Sequence, residues 1–233
     1  MNDFIRGALE LKYKRQHLAT YVIVGVTLLY WLAQLMTFGT KVGDAYSIWS
    51  AGGIFGYGML QSPATLWRLI TPVFVHYSWG HVLGNLLILF IIGRLIEQIF
   101  GSVRFVLIYF LSSIFANAAV FALNPSSLSA GASSAIFGVF GAIAALGYFT
   151  SDPRIREVSR GFVALIILVV FLNFFQAHIS IIGHIGGAIG GALLGTIFAP
   201  KDYARFIPLK FRQGAAIVLC VLFLLFISVP YFI

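Results

Sequence analysis

Apolar residues in this chain neither alternate as in a strand nor keep to one stripe as in a helix with a wet face. They come in blocks of roughly 17 to 25 residues, the length a helix needs to cross a bilayer. Seven blocks stand at about 18–38, 80–100, 103–123, 133–149, 161–179, 183–199 and 212–233, and each predicts a membrane-crossing helix. The expected fold class is all-α, a polytopic membrane protein with seven spans. Segment 1–17 is charged, amphipathic and without a small-residue cleavage site, which predicts a retained cytoplasmic N-terminal segment. Segment 39–79, with GGIFGYGML and SPATLWRLI, is too polar for a span and too apolar for free solvent, so it is expected to lie in the outer interface. Residues 200–233 read as a cytoplasmic connector followed by the seventh span.

Composition agrees with lipid as the solvent. Of 233 residues 60% are hydrophobic and 9% charged, too little polar surface to cover a soluble globule. A net charge of +8 would suit nucleic acid only on the basic face of a soluble domain, and no such domain is visible. No nucleic-acid partner is expected; the basic residues sit between apolar blocks, where membrane lipids with anionic headgroups meet them. With seven spans, Arg6, Lys12, Lys14, Arg15, Arg94, Arg104, Arg154, Arg156, Arg160, Lys201, Arg205, Lys210 and Arg212 fall on one side and only Lys41 and Arg68 on the other. That asymmetry predicts a cytoplasmic N-terminus in a plasma (inner) membrane. The single cysteine, Cys220, lies inside the last block and excludes an intrachain disulfide.

Four polar residues stand where polar residues are expensive. Ser133 opens the fourth block after a turn ending in Gly131, where backbone N–H groups and the helix dipole favour a developing negative charge. His184 opens the sixth block amid Gly183, Gly186, Gly187, Gly190, Gly191 and Gly195, facing a matching small-residue set in the fourth, Ala135, Gly138, Gly141, Ala142 and Ala145. Close packing of these two helices would join Ser133 to His184. His81 and Asn85 lie four apart on one face of the second block, two donors suited to an oxyanion. Counted from the cytoplasmic ends, Asn85, Ser133 and His184 all sit about 23 to 26 Å up, short of the roughly 30 Å apolar thickness, so water must reach them through a protein-lined cavity. Residue chemistry alone leaves plainer readings open: an N-cap for Ser133 or Ser134, a packing histidine, an interhelical polar contact.

Asp44 is the only carboxylate outside the cytoplasmic segments, so a Ser–His dyad is expected rather than a triad, with Phe137 stacking on the imidazole in place of an orienting acid. An HExxH motif and a pair of intramembrane aspartates are both absent, and His76 with His81 lacks a nearby carboxylate. No metal and no cofactor are expected.

These residues resemble the rhomboid intramembrane serine proteases. The likeness covers most of 18–199 and rests on Trp67 with Arg68, on His76, His81 and Asn85 as HxxxxHxxxN, on Glu97, Gly101 and Ser102, on Gly131 to Ser134, and on His184 in a glycine-rich helix. The resemblance implies a six-helix protease core over 18–199 with a seventh helix appended. It also implies a Ser133–His184 dyad, an oxyanion hole of His81, Asn85 and the Ser133 backbone N–H, and a structural role for His76. Substrates would be single-span or other transmembrane proteins, admitted past the fifth helix and the 178–183 loop, with the site open to the outer face. One departure stands out: Ser134 occupies the position after the nucleophile, where the family usually has Gly. The competing functions are an inactive rhomboid-like protein that binds membrane clients and a small-solute transporter. Oligomeric state is not legible.

Overall fold

A computed structural model describes residues 17–173, 175 and 180–232. The expected N-terminal segment as far as residue 16, most of 174–179, which includes the start of the expected capping loop, and the last residue of the expected seventh span lie outside the described residues.

Helix α1, Leu18–Phe38, leads into an outer segment built of two short helices, α2 (Ala45–Ser50) and α3 (Gly56–Leu60), a two-residue strand β1 (Ile54–Phe55) and 3-10 turns over Pro63–Leu69 and Thr71–Phe74. Then follow α4 (Trp79–Phe100), α5 (Ser102–Leu123), strand β2 (Leu128–Ser129), α6 (Ser133–Phe149), α7 (Pro153–Asn173), α8 (Ile181–Ile197), the single turn α9 (Lys201–Ala204) and α10 (Leu209–Ser228). The molecule is a polytopic helical membrane protein. α1, α4, α5 and α10 are individually long and apolar enough to cross a bilayer. α6 and α8 are apolar but 17 residues each, about 25 Å, and are wrapped by the others.

Local chemistry sets the helix ends. Ser78 caps α4 by accepting the His81 N–H at 3.3 Å, and Ser180 caps α8 by accepting from Gly183 at 3.1 Å. α4 stops at Gly101, whose φ of +80° turns the chain straight into α5. Glu97 accepts from the Ala19 and Thr20 N–H groups and from the Thr20 and Ser102 hydroxyls, so it caps α1 and ties that turn together.

The fifth helix differs from expectation at its start: it begins at Pro153 rather than about 161, and is described as far as Asn173. Hydropathy misreads Pro153–Arg160 as a loop because of its arginines. Proline suits a first turn, Asp152 accepts the Arg154 N–H at 2.9 Å, and Ile155, Ser159 and Phe162 bury one face against α6 while the arginines point away. The other spanning helices start within three residues of the apolar blocks and end within two, except α10, which closes at Ser228 and continues as a 3-10 turn over Val229–Tyr231.

Two contacts hold the site's scaffold. α6 packs on α8 through glycine: a Cβ on Gly187, Gly191 or Gly195 would run into the backbone of Ser134, Gly138 or Ala142, and one on Gly141 into Ala188. Backbones in such contact gain dispersion energy along the whole interface, which is what holds helices together where lipid removes the hydrophobic drive. The outer segment is fastened by β1 pairing antiparallel with β2, Ile54 opposite Ser129, so the 124–132 connection carries a short ladder. Arg68 lies between Trp49 and Trp67, 3.5 and 4.4 Å from their rings, and donates to Gly53 and Trp49 carbonyls. Asn117 of α5 donates to Leu69 at 2.8 Å.

Candidate active site

Ser133 is the first residue of α6, and the cap position before it is Ala132, which offers no side-chain acceptor. The hydroxyl is therefore not consumed as an N-cap. Its Oγ lies 2.8 Å from His184 Nε2, across 51 residues of sequence. Ser133 opens α6 and His184 lies in the first turn of α8, and the glycine contacts above bring those two helix starts together. Ser134 turns the other way and shares a 3.2 Å hydrogen bond with Ser113 of α5, away from the histidine.

The imidazole of His184 is buried and stacked on Phe137, ring centroids 4.2 Å apart and 4° from parallel. Its other nitrogen is engaged as well: Asn173 Nδ2, at the end of α7, lies 2.5 Å from His184 Nδ1. Sequence reading missed Asn173. Its one available signal was a buried polar residue at the end of an apolar run, and the misplaced fifth helix concealed that.

His81 and Asn85 converge on the turn before Ser133. Gly131 has φ +124°, a conformation that only glycine adopts readily, and a Cβ there would stand 2.8 Å from His81 Nε2 and 3.5 Å from Asn85 Nδ2. Glycine is thus required twice, for the turn and for the approach of two donors. Asn85 Nδ2 is buried and has no hydrogen-bond partner among the described residues. Three backbone N–H groups at the start of α6 lack helical acceptors for the usual reason, that no turn precedes them.

Behind this pair sits a supporting layer. His76 is fully buried, its Nδ1 is 3.1 Å from the Phe74 carbonyl, and its ring meets His81 edge-on at 5.0 Å. Burial, reinforced by His81, holds His76 down at about 3, so it stays neutral. Gln34 of α1 brackets the His76 backbone, accepting its N–H at 3.2 Å and donating to its carbonyl at 2.8 Å. Tyr77 stacks on His81 from the other side at 5.8 Å and donates to Leu128 at 2.8 Å. Tyr77 is a second residue that the sequence did not single out.

A cavity of about 730 Å³ opens beside these groups. Tyr77, His81, Asn85, Ser133, Asn173 and His184 form its polar end, and Ile88, Ile91, Leu165 and Val169 from α4 and α7 form apolar walls. Among the described residues no carboxylate lines it. Among the described residues no three His, Cys, Asp or Glu side chains converge as metal ligands would. Trp67 and Arg68 belong to the outer segment and do not line the cavity.

Comparison with known proteins places these residues in context. The family model for the Rhomboid domain matches residues 63–201. The rhomboid YdcA of Bacillus subtilis (strain 168) is 30% identical over 154 residues, 66% of this chain and 77% of YdcA. Rhomboid protease GluP of the same organism is 38% identical over 125 residues, 54% of this chain. Rhomboid-like protease 3 of Toxoplasma gondii is 34% identical over 142 residues, 59% of this chain. The chain spans only 24% of GluP and 54% of the Toxoplasma protein.

Proposed function

The chain belongs to the rhomboid family, and from that premise we propose that it is an intramembrane serine endopeptidase cutting peptide bonds in or near transmembrane helices of other membrane proteins. The observation that carries this reading is the 2.8 Å contact between Ser133 Oγ and His184 Nε2 at the polar end of a largely apolar cavity. A serine hydroxyl is a weak nucleophile until an adjacent base removes its proton, and the pair has the geometry for that transfer.

As the Ser133 Oγ–carbon bond forms, the hydroxyl proton passes to His184 Nε2 and the carbonyl electrons move to oxygen. The resulting oxyanion is met by donors already in place: His81 Nε2–H, Asn85 Nδ2–H and the Ser133 backbone N–H. The proton on Nε2 then moves to the leaving amine as the carbon–nitrogen bond breaks. Water repeats the sequence on the acyl ester and releases Ser133. The apolar walls suit a substrate helix, which must unwind locally before its carbonyl can be attacked because its backbone groups bond to one another.

In this reading the N-terminus and the arginine-rich helix ends face the cytoplasm of a plasma membrane, and the cavity's polar end opens outward. His76, Trp67 and Arg68 support the outer wall without touching substrate, and Tyr77 backs His81 at the cavity's polar end.

The test is cleavage of a single-span substrate by the full chain in liposomes. The parent is expected to release product; Ser133→Ala and His184→Ala should each lose activity by on the order of 10⁴-fold or more. Undiminished product from both variants would refute the proposal, whereas clients held but uncut by the parent would favour the escort reading.

A further inference from the structure

A dyad leaves one question unanswered by its own two residues: what keeps the base in the form that can accept a proton. A neutral imidazole carries its hydrogen on Nδ1 or on Nε2, and only the Nδ1–H form has a lone pair on Nε2 facing the Ser133 hydroxyl. Stacking on Phe137 fixes the plane of the ring but is indifferent to which nitrogen holds the proton. A hydrogen-bond partner at Nδ1 is not indifferent.

Asn173 is that partner. It is buried, closes α7, and places its side-chain amide against His184 Nδ1. As placed, Nδ2 would donate to Nδ1 and leave the proton on Nε2, the unreactive form. A half-turn of the amide puts Oδ1 in the same position, accepting from Nδ1–H, and frees Nε2 for Ser133. The second orientation also suits the imidazolium that forms during attack, because both ring nitrogens then donate and an amide N–H facing Nδ1 would be repelled.

We propose that Asn173 is a positioning residue for the proposed protease reaction, its amide oxygen holding His184 in the Nδ1–H form through the 2.5 Å contact. The inference rests on the Ser133–His184 reading and adds a third group to it, neutral rather than acidic. A neutral group fits this cavity, which no carboxylate lines among the described residues and where Tyr77 and His81 are the other described titratable side chains. Unlike a carboxylate, the amide orders the base without placing a buried charge in an apolar enclosure. The proton accounting is unchanged: the Ser133 proton goes to Nε2 and on to the leaving amine, and the other ring proton stays on Nδ1, hydrogen-bonded to Asn173 Oδ1, throughout.

The test uses the full chain in liposomes with a single-span substrate, kcat and KM being measured from pH 5 to 9 for the parent, Asn173→Leu, Asn173→Asp and Ser133→Ala. The leucine variant, similar in volume, should lower kcat on the order of 10- to 10³-fold with KM unchanged. The aspartate variant, which can accept from Nδ1–H, should recover most of that loss and move the acidic limb of the kcat profile upward by about one pH unit. A purely structural asparagine would move neither KM-independent kcat nor the acidic limb. A leucine variant within threefold of the parent, or an aspartate variant with an unmoved limb, overturns the inference. If the leucine variant does not fold, the aspartate profile decides alone. A parent that cleaves while Ser133→Ala is silent keeps the protease reading whichever way Asn173 falls; a parent that cleaves nothing removes both.

Discussion

Asn85 and Glu97 sit on the same helix, about 18 Å apart along its axis, and both are buried, yet their surroundings are finished in opposite ways. Both oxygens of Glu97 are used twice. Oε1 accepts from Ala19 N–H at 3.0 Å and Ser102 O–H at 2.6 Å, and Oε2 from Thr20 N–H at 2.8 Å and Thr20 O–H at 2.7 Å. Asn85 Nδ2 has no partner among the described residues, and Asn85 lines a cavity. A buried polar group is normally satisfied, and in the proposed reaction this open donor beside Ser133 and His184 would meet the oxyanion. The saturated cluster holds the helices together; the unsaturated one would serve the reaction.

That contrast can be broken by removing each side chain and asking whether stability or rate responds. Asn85→Ala should reduce kcat by about 10²- to 10³-fold while the unfolding free energy stays within about 0.5 kcal/mol of the parent, since no hydrogen bond is lost from the resting protein. Equal activity would mean that the open donor has no role in the reaction. Glu97→Ala should do the reverse. It strands two N–H groups and two hydroxyls, which lowers stability by about 2 to 4 kcal/mol and leaves the kcat of the folded fraction near the parental value. A stable Glu97→Ala with impaired chemistry would dissolve the distinction.

Two smaller effects sharpen it. His76 supports the site from the wall, held near 3 when folded against an ordinary value of 6.5. The unfolded chain gains a proton as pH falls below about 6.5 and the folded chain does not until about 3, so stability is flat above neutrality and declines across that window. Unfolding measured at pH 7.5 and 6 should show a loss on the order of 1 kcal/mol that His76→Gln lacks; identical slopes would place His76 in contact with water. Smallest of all is Ser134→Ala. Its hydroxyl bonds Ser113 rather than His184, so the expected change is under about 1 kcal/mol in stability and a few-fold at most in rate. A silent Ser134→Ala beside an active Ser133→Ala would reverse the assignment of the nucleophile.

Much of the fold was legible because each apolar block reports its own helix. The blocks at 18–38 and 133–149 coincide with α1 and α6 to the residue. The failure at α7 has a local cause: Arg154, Arg156 and Arg160 lower hydropathy without opposing helix, and Ile155, Ser159 and Phe162 supply a buried face that a block average cannot see. The site was legible in its residue types. Ser133, His184, His81 and Asn85 stood out because polar groups inside apolar blocks are costly, and Phe137 because one turn separates it from Ser133. Asn173 did not stand out, since the histidine it meets is carried by another helix, nor did Tyr77, one of several aromatics in the outer segment.

Composition and block length by themselves determined that lipid surrounds this chain, that helices fill it, and which few polar residues must be explained. Those are properties of a residue and its near neighbours, and hydropathy and the 1.5 Å rise of a helix carry them. Only the tertiary structure decided that Ser133 meets His184 instead of capping its own helix, that Ser134 turns to Ser113, and that Asn173 reaches the far nitrogen of the imidazole. Those outcomes depend on the axial stagger of α6, α7 and α8, which glycine backbones in contact across the α6–α8 seam set to within a fraction of a turn. A linear pattern contains the glycines but not the stagger.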